Sequence, residues 1–225
     1  ADIARENRLD DATKRIVMWA ALCHDLGKPS TTSFERGRMR SKGHESAGEE
    51  PTREFFENLG MDKTTTEKVA RIVTDHLWPG VMYLQHNRGE PVTDGAFRRL
   101  ARRIHPATIS ELTHTAEADH RGRGPFLDPT HKDQFILPDP YPAGDWVRER
   151  ASALGVEREM PPPILQGRDL IALGFDPKIE GRLFGECIRR AEEARDHLAL
   201  TREQILDRIS HAGTIEKAIG ALRNP

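Results

Sequence analysis

The chain has 225 residues, enough for one or two domains with a sizeable core. Charged residues make up 31%, aromatics 6%, and the formal net charge is −2, so no chain-wide basic surface for nucleic acid exists and any such surface is local. The two cysteines, Cys23 and Cys187, exclude a disulfide scaffold, no apolar run approaches the ~20 residues of a membrane span, and ten histidines point to N/O-ligand chemistry in a cytoplasmic protein.

Residues 1–27 read as one or two helices, with Ile16, Val17, Ala20, Cys23 and Leu26 at helical spacing. No leader-like segment opens the chain, and residue 1 reads as lying inside a truncated helix, so further sequence is expected before Ala1. His24 and Asp25 end this apolar run; Gly27 is the predicted stop, and Pro29 bars continuation. Residues 29–43 read as a polar loop or short hairpin containing Gly37 and Gly43. His44 opens a helix to about residue 59, with Phe55, Phe56 and Leu59 as its core face and Gly60 as its cap. Thr64 begins the next, with Val69, Ile72, Val73, His76 and Leu77 on one side and Pro79-Gly80 as its end. After a short insertion, helices are expected over 93–104 and 107–119, separated by His105-Pro106.

Proline at 125, 129, 138, 140 and 142 marks an irregular crossing and the domain boundary. A helix over 145–154 follows, then the stiff spacer Pro161-Pro162-Pro163, a helix over 178–197 and two short helices. Strand signals are weak, so the fold class is all-α. The expected organisation is a helical bundle over 1–124, a Pro-rich crossing with one helix over 125–163, and a smaller helical tail over 164–225.

The ligand-type residues are His24, Asp25, His44, His76 and Asp119, each at the end or on the apolar face of a predicted helix. A bundle core can bring such side chains together around a metal. Each also has an ordinary reading. His44 can cap a helix, His76 can be a satisfied core histidine, and Asp119 can be a helix-end residue, although an acid there opposes the macrodipole. The remaining histidines (86, 105, 114, 120, 131, 197 and 211) read as surface or core residues. Lys28 either complements a helix C-terminus or holds phosphate, and Arg121 and Arg123 flank a Gly-rich turn suited to phosphate or RNA. Arg98, Arg99, Arg102 and Arg103 form two i,i+4 ridges whose repulsion needs either an RNA backbone or neighbouring acids.

The order His24-Asp25, Gly43-His44-Glu45, Asp75-His76 and Ala118-Asp119 resembles the HD superfamily of metal-dependent phosphohydrolases. That family's pattern begins with one more histidine; none precedes His24, and its position is expected just before Ala1. A narrower resemblance rests on Cys23 to Pro29, Gly43-His44-Glu45, Arg98 to Arg103, Ala118 to Arg123 and Gly167-Arg168-Asp169-Leu170. These segments resemble the C-terminal body and tail of bacterial tRNA nucleotidyltransferases, the CCA-adding enzymes and related polynucleotide adenylyltransferases. The polymerising head of that family carries a Gly-Ser step followed by two carboxylates two residues apart; no Asp-x-Asp occurs in this chain.

The HD resemblance implies an HD-domain bundle with one or two divalent ions, and an imidazole–carboxylate set does not choose among Mn, Ni, Co, Fe, Zn and Mg. It places His24, Asp25 and Asp119 on one ion and His44 and His76 on a second, with Asp25 bridging. Asp25 and Lys28 become the catalytic pair, and Lys28, Arg98, Arg102, Arg121 and Arg123 the phosphate or RNA contacts. The implied activity is hydrolysis of nucleotide or RNA-terminal phosphate esters, 2′,3′-cyclic ends included. The alternative is a tRNA-holding body and tail whose polymerising head lies elsewhere.

Overall fold

The computed structural model describes residues 2–123, 126–127, 135–136 and 140–223. Part of the predicted crossing, including Pro125, Pro129, His131 and Pro138, lies outside the described residues, as does Ala1. In chain order the elements are α1 (Asp2–Glu6), α2 (Asp11–Cys23), α3 (Lys28–Thr31), β1 (Thr32–Glu35), β2 (Arg38–Ser41), α4 (His44–Ala47), α5 (Glu49–Asn58), α6 (Lys63–Asp75) and α7 (Trp78–Asn87). They continue with α8 (Asp94–Ile104), α9 (Ile109–Gly122), β3 (Phe126–Leu127), β4 (Phe135–Ile136), α10 (Pro142–Ala153), α11 (Gly167–Ala172), α12 (Pro177–Leu198), α13 (Arg202–Ser210) and α14 (Ile215–Ala221). The fold is all-α; the strands pair only as two antiparallel hairpins, β1–β2 and β3–β4. Among the described residues no helix is long and apolar enough to cross a membrane.

The chain divides into two compact units, Ala1–Val92 with Leu100–Met160, and Thr93–Arg99 with Pro161–Pro225. In the first unit α2 packs on α6 and α9, α5 on α6, and α10 on α7 and α9. The contact surfaces are the apolar stripes of the sequence: Ile16, Val17, Ala20 and Cys23 of α2, Val69, Ile72 and Val73 of α6, and Ile109, Leu112 and Ala116 of α9 are all buried. Each large aliphatic side chain so buried contributes roughly 1.5–3 kcal/mol, which fixes the helices' rotation about their axes. Side-chain caps set where they begin. Asp10 accepts from the backbone N–H of Ala12 and Thr13, Asp62 from that of Thr65, and Thr108 and Glu111 form a reciprocal capping box. The second unit has its own core, centred on Leu165, Leu170, Phe184, Cys187, Ile205, Ile209 and Ile215.

Several local expectations need correction. Pro79-Gly80 does not end α6: Pro79 lies in the first turn of α7, where a missing N–H is harmless, and the expected insertion is this helix. The helix expected over 44–59 divides at Gly48 into α4 and α5. Gly27 is not the stop of α2, which ends at Cys23; at φ −80° it precedes α3, and Pro29 lies in the first turn of that helix.

Candidate metal centre

Three helices of the first unit deliver their C-terminal ends to one place. His24 is the residue after α2, His76 the residue after α6, and Asp119 lies one turn from the end of α9. The negative ends of the three macrodipoles add to the carboxylates there, so the site favours a cation. His76 continues the buried stripe of α6, seven residues after Val69, and is only 1% exposed. Asp119 stands three residues after Ala116 on α9. The fourth element is α4, whose first residue is His44.

Gly27 brings that fourth element close. A Cβ at this position would lie 2.0 Å from the His44 carbonyl oxygen and 2.6 Å from the Gly48 nitrogen. A Cβ at Gly48 would in turn lie 2.9 Å from Val73 Cγ1. Backbone therefore packs on backbone where the His24–Asp25 turn crosses α4, and only glycine permits that approach.

The three imidazoles are oriented alike. Nδ1 of His24 hydrogen-bonds the Ala21 carbonyl at 2.8 Å, that of His44 the Ser41 carbonyl at 2.8 Å, and that of His76 the Val73 carbonyl at 2.7 Å. A carbonyl only accepts, so each ring carries a proton on Nδ1 and turns Nε2 toward the centre. The His24 and His44 rings each stand 5.3 Å from the His76 ring. Asp25 lies between them, Oδ2 at 3.2 Å from His24 Nε2 and Oδ1 at 3.5 Å from His44 Nε2. Asp119 Oδ1 is 3.4 Å from His24 Nε2. Ligand atoms of Asp25, His44 and His76 all fall within 4.8 Å of one another.

Electrostatics separates the three rings. Burial and the neighbouring imidazoles depress the His76 pKa, keeping it neutral. Burial would also depress His24, but hydrogen bonds to Asp119 and Ala21 and the Asp25 charge outweigh it and raise its pKa. Burial would raise Asp119, yet its bonds to His24 and Arg123 hold it well below the usual carboxylate range. His76 Nε2 is buried and has no hydrogen-bond partner. An orphaned buried lone pair among two further imidazoles and two carboxylates fits a divalent ion, because coordination satisfies what no protein donor does.

The centre opens into a cavity of about 490 Å³ lined by His24, Asp25, Lys28, His44, Leu77, Asp119 and Arg123 among others. Lys28 Nζ is 2.6 Å from Asp25 Oδ2, and Arg123 pairs with Asp119. Arg121 is turned elsewhere, to Glu6 at 2.6 Å and Glu117 at 3.3 Å. Arg98, in the second unit, donates from Nε to Asp196 Oδ1 at 2.8 Å, and Arg195 reaches the same oxygen at 3.1 Å. The Asp196 side chain is fully buried, so Arg98 has a structural partner there. Arg103, from the same predicted ridges, pairs with buried Asp75 at 2.7 Å and covers the Trp78 ring. Arg102 is half-buried and is not among the cavity-lining residues.

Sequence reasoning missed three contributors. Gly27 was legible only as a stop, and the Ser41 carbonyl that orients His44 is a backbone group without sequence signature. Tyr141, just before α10, senses the centre: burial, and next the Asp119 charge, push its hydroxyl up to about 12.

A family model described as "HD domain" matches residues 1–114. The chain is 29% identical over 187 residues to an A-adding tRNA nucleotidyltransferase of Deinococcus radiodurans, covering 80% of this chain and 37% of that protein. The chain thus spans well under half the length of the curated relative it matches. No solved structure matches.

Proposed function

The chain belongs to the HD domain family, and we propose that it is a metal-dependent phosphohydrolase acting on nucleotide or RNA-terminal phosphate esters. The observation that carries this reading is the set of three imidazoles gathered around Asp25 and Asp119, one of whose Nε2 atoms, that of His76, is buried without any partner. His24, Asp25 and Asp119 would hold one divalent ion, and His44 and His76, with Asp25, a second. A bound divalent ion supplies charge neutralisation at a phosphoryl group and an acidified water. Asp25 turns one oxygen to His24 and the other to His44, so a single carboxylate would serve both positions. Lys28 and Arg123 stand at the cavity wall, where their donors reach phosphate oxygens once they exchange their present carboxylate partners. The Nδ1 bonds to Ala21, Ser41 and Val73 hold the rings in place and fix their tautomers.

The test is metal content of the purified chain beside a His24→Ala/Asp25→Ala variant, with hydrolysis of 2′,3′-cyclic AMP under added Mn, Ni or Mg. Bound metal and activity that both disappear in the variant support the reading; a variant that keeps both refutes it. A second reading has its own observation, the similarity to a tRNA nucleotidyltransferase, which continues well beyond the HD match. On that reading the chain holds tRNA for nucleotide addition performed by residues outside it. Tight tRNA binding without ester hydrolysis favours this alternative.

A further inference from the structure

The β1–β2 hairpin is built from the rim of the metal centre yet buries little of itself. Its register pairs Thr32 with Ser41, Ser33 with Arg40, Phe34 with Met39 and Glu35 with Arg38. Phe34 and Met39 therefore share one face with Thr32 and Ser41, and Arg38 and Arg40 project from the other. Arg36 and Gly37, both at positive φ, close the tip in the tight turn that suits two-residue hairpins. Phe34 is 72% exposed and Met39 65%, an apolar pair left open among the described residues.

The charge is as uneven as the burial. In a chain of net charge −2, residues 32–42 carry Arg36, Arg38, Arg40 and Lys42 against Glu35 alone. Lys42 takes that one acid, at 2.5 Å. Arg36, Arg38 and Arg40 are exposed and have no acidic partner among the described residues. The base of the hairpin is tied to the centre on both strands. Thr32 Oγ1 donates to the Lys28 carbonyl at 2.7 Å, and the Ser41 carbonyl holds the His44 ring at 2.8 Å.

An exposed aromatic–thioether pair on one face, with unpaired guanidinium groups at the tip and on the other, matches the requirements of a single nucleic-acid strand: a flat surface for a base, and cations for the phosphates beside it. Adjacent strands lie about 5 Å apart, so the two-stranded ribbon is narrow enough for a strand crossing its edge to meet both faces. A nucleic-acid strand repeats an anionic phosphate beside each flat base, which matches this combination of apolar and basic positions. We propose that the hairpin over residues 32–42 is an arm that binds single-stranded RNA, stacking a base on Phe34 and Met39 and holding phosphates with Arg36, Arg38 and Arg40, so that the strand's end enters the cavity containing Lys28. This deepens the phosphohydrolase reading, making a polymer end the substrate in place of a mononucleotide, and rests on that reading only for where the end goes.

The experiment measures anisotropy of a short fluorescein-labelled single-stranded oligoribonucleotide, titrated with the full chain in EDTA over a series of salt concentrations. Phe34→Ala is expected to weaken binding about tenfold, the loss typical of one stacking partner. Arg38→Ala/Arg40→Ala is expected to weaken binding and lower the slope of log K against log salt by about 1.4, two phosphate contacts at about 0.7 each. All three positions are exposed, and thermal melts of each variant check that the fold is retained. Wild-type affinity and slope in both variants overturn the proposal, as does a wild-type chain that binds no strand. A wild-type dimer that Phe34→Ala dissociates also overturns it, because a second copy is then the occupant. Metal-free binding separates the two readings: a chain that hydrolyses nothing can still bind through the arm, and one that hydrolyses mononucleotide esters can still lack it.

Discussion

Replacing Gly27 with alanine tests how the metal centre is assembled. At φ −80° alanine meets no backbone penalty, so the effect is purely one of space. The new Cβ would stand 2.0 Å from the His44 carbonyl oxygen, whereas ordinary contact begins near 3.4 Å. The crossing segments must therefore separate by about 1.4 Å (3.4 minus 2.0) along that direction. The neighbour is backbone on both sides, with the Gly48 nitrogen at 2.6 Å and the Ala47 carbonyl carbon at 2.9 Å, so no side chain can swing away. Overpacking of this kind costs about 1–3 kcal/mol. The larger consequence is for the ligands, since metal sites tolerate roughly 0.2 Å of error and His44 moves with its own backbone. Urea unfolding of the metal-free protein reads the first effect, and competition with a chelating dye for Mn or Zn reads the second. We expect a loss of about 1–3 kcal/mol and a fall in metal affinity of about 10–100-fold. A Gly27→Ala protein within about 0.5 kcal/mol of wild type, with unchanged metal affinity, would refute the close-approach argument.

Other expectations follow from the same geometry. His76→Leu removes the unpartnered Nε2 but also the Nδ1 bond to the Val73 carbonyl, so the metal-free protein should stay within about 1.5 kcal/mol of wild type in urea while metal affinity drops about 100-fold or more; a larger loss in EDTA would contradict this. His114 is buried in α9, and burial, followed by the Arg148 charge, depresses its pKa from an ordinary 6.5 to about 4. The unfolded chain then binds the extra proton first, so stability is complete above about pH 6.5 and falls by up to about 3 kcal/mol as pH drops to 4. A His114→Gln variant should lose that part of the acid limb in urea titrations between these values; an unchanged limb would refute it. Arg98→Ala should cost about 1–3 kcal/mol because Asp196 is fully buried, and should leave the salt slope of oligoribonucleotide binding unchanged; a reduced slope would restore Arg98 as a phosphate contact.

The sequence by itself determined most of the helices and, in α2 and α6, which faces they bury, although Leu59, expected in the core, is exposed. The spacing of Ile16, Val17, Ala20 and Cys23, and of Val69, Ile72 and Val73, already defined stripes that the structure buries, because burial selects one face of a helix whatever the partner. It also singled out His24, Asp25, His44, His76 and Asp119 as ligand-type residues at helix ends, and the structure brings all five to one centre. Local turn chemistry was harder to read. Pro79 and Gly27 looked like helix stops, yet one opens α7 and the other admits a backbone crossing. Proline and glycine state what a backbone can do locally, and the choice among those uses depends on what packs against them. Arginine partners were equally hidden. Arg98 and Arg103 formed the same ridge pattern in sequence, but they meet Asp196 and Asp75, residues far along the chain in one case and on another helix in the other. Hydrophobic periodicity is a short-range property that one helix carries alone, whereas the partner of a charge and the direction of a lone pair exist only once distant segments are packed together.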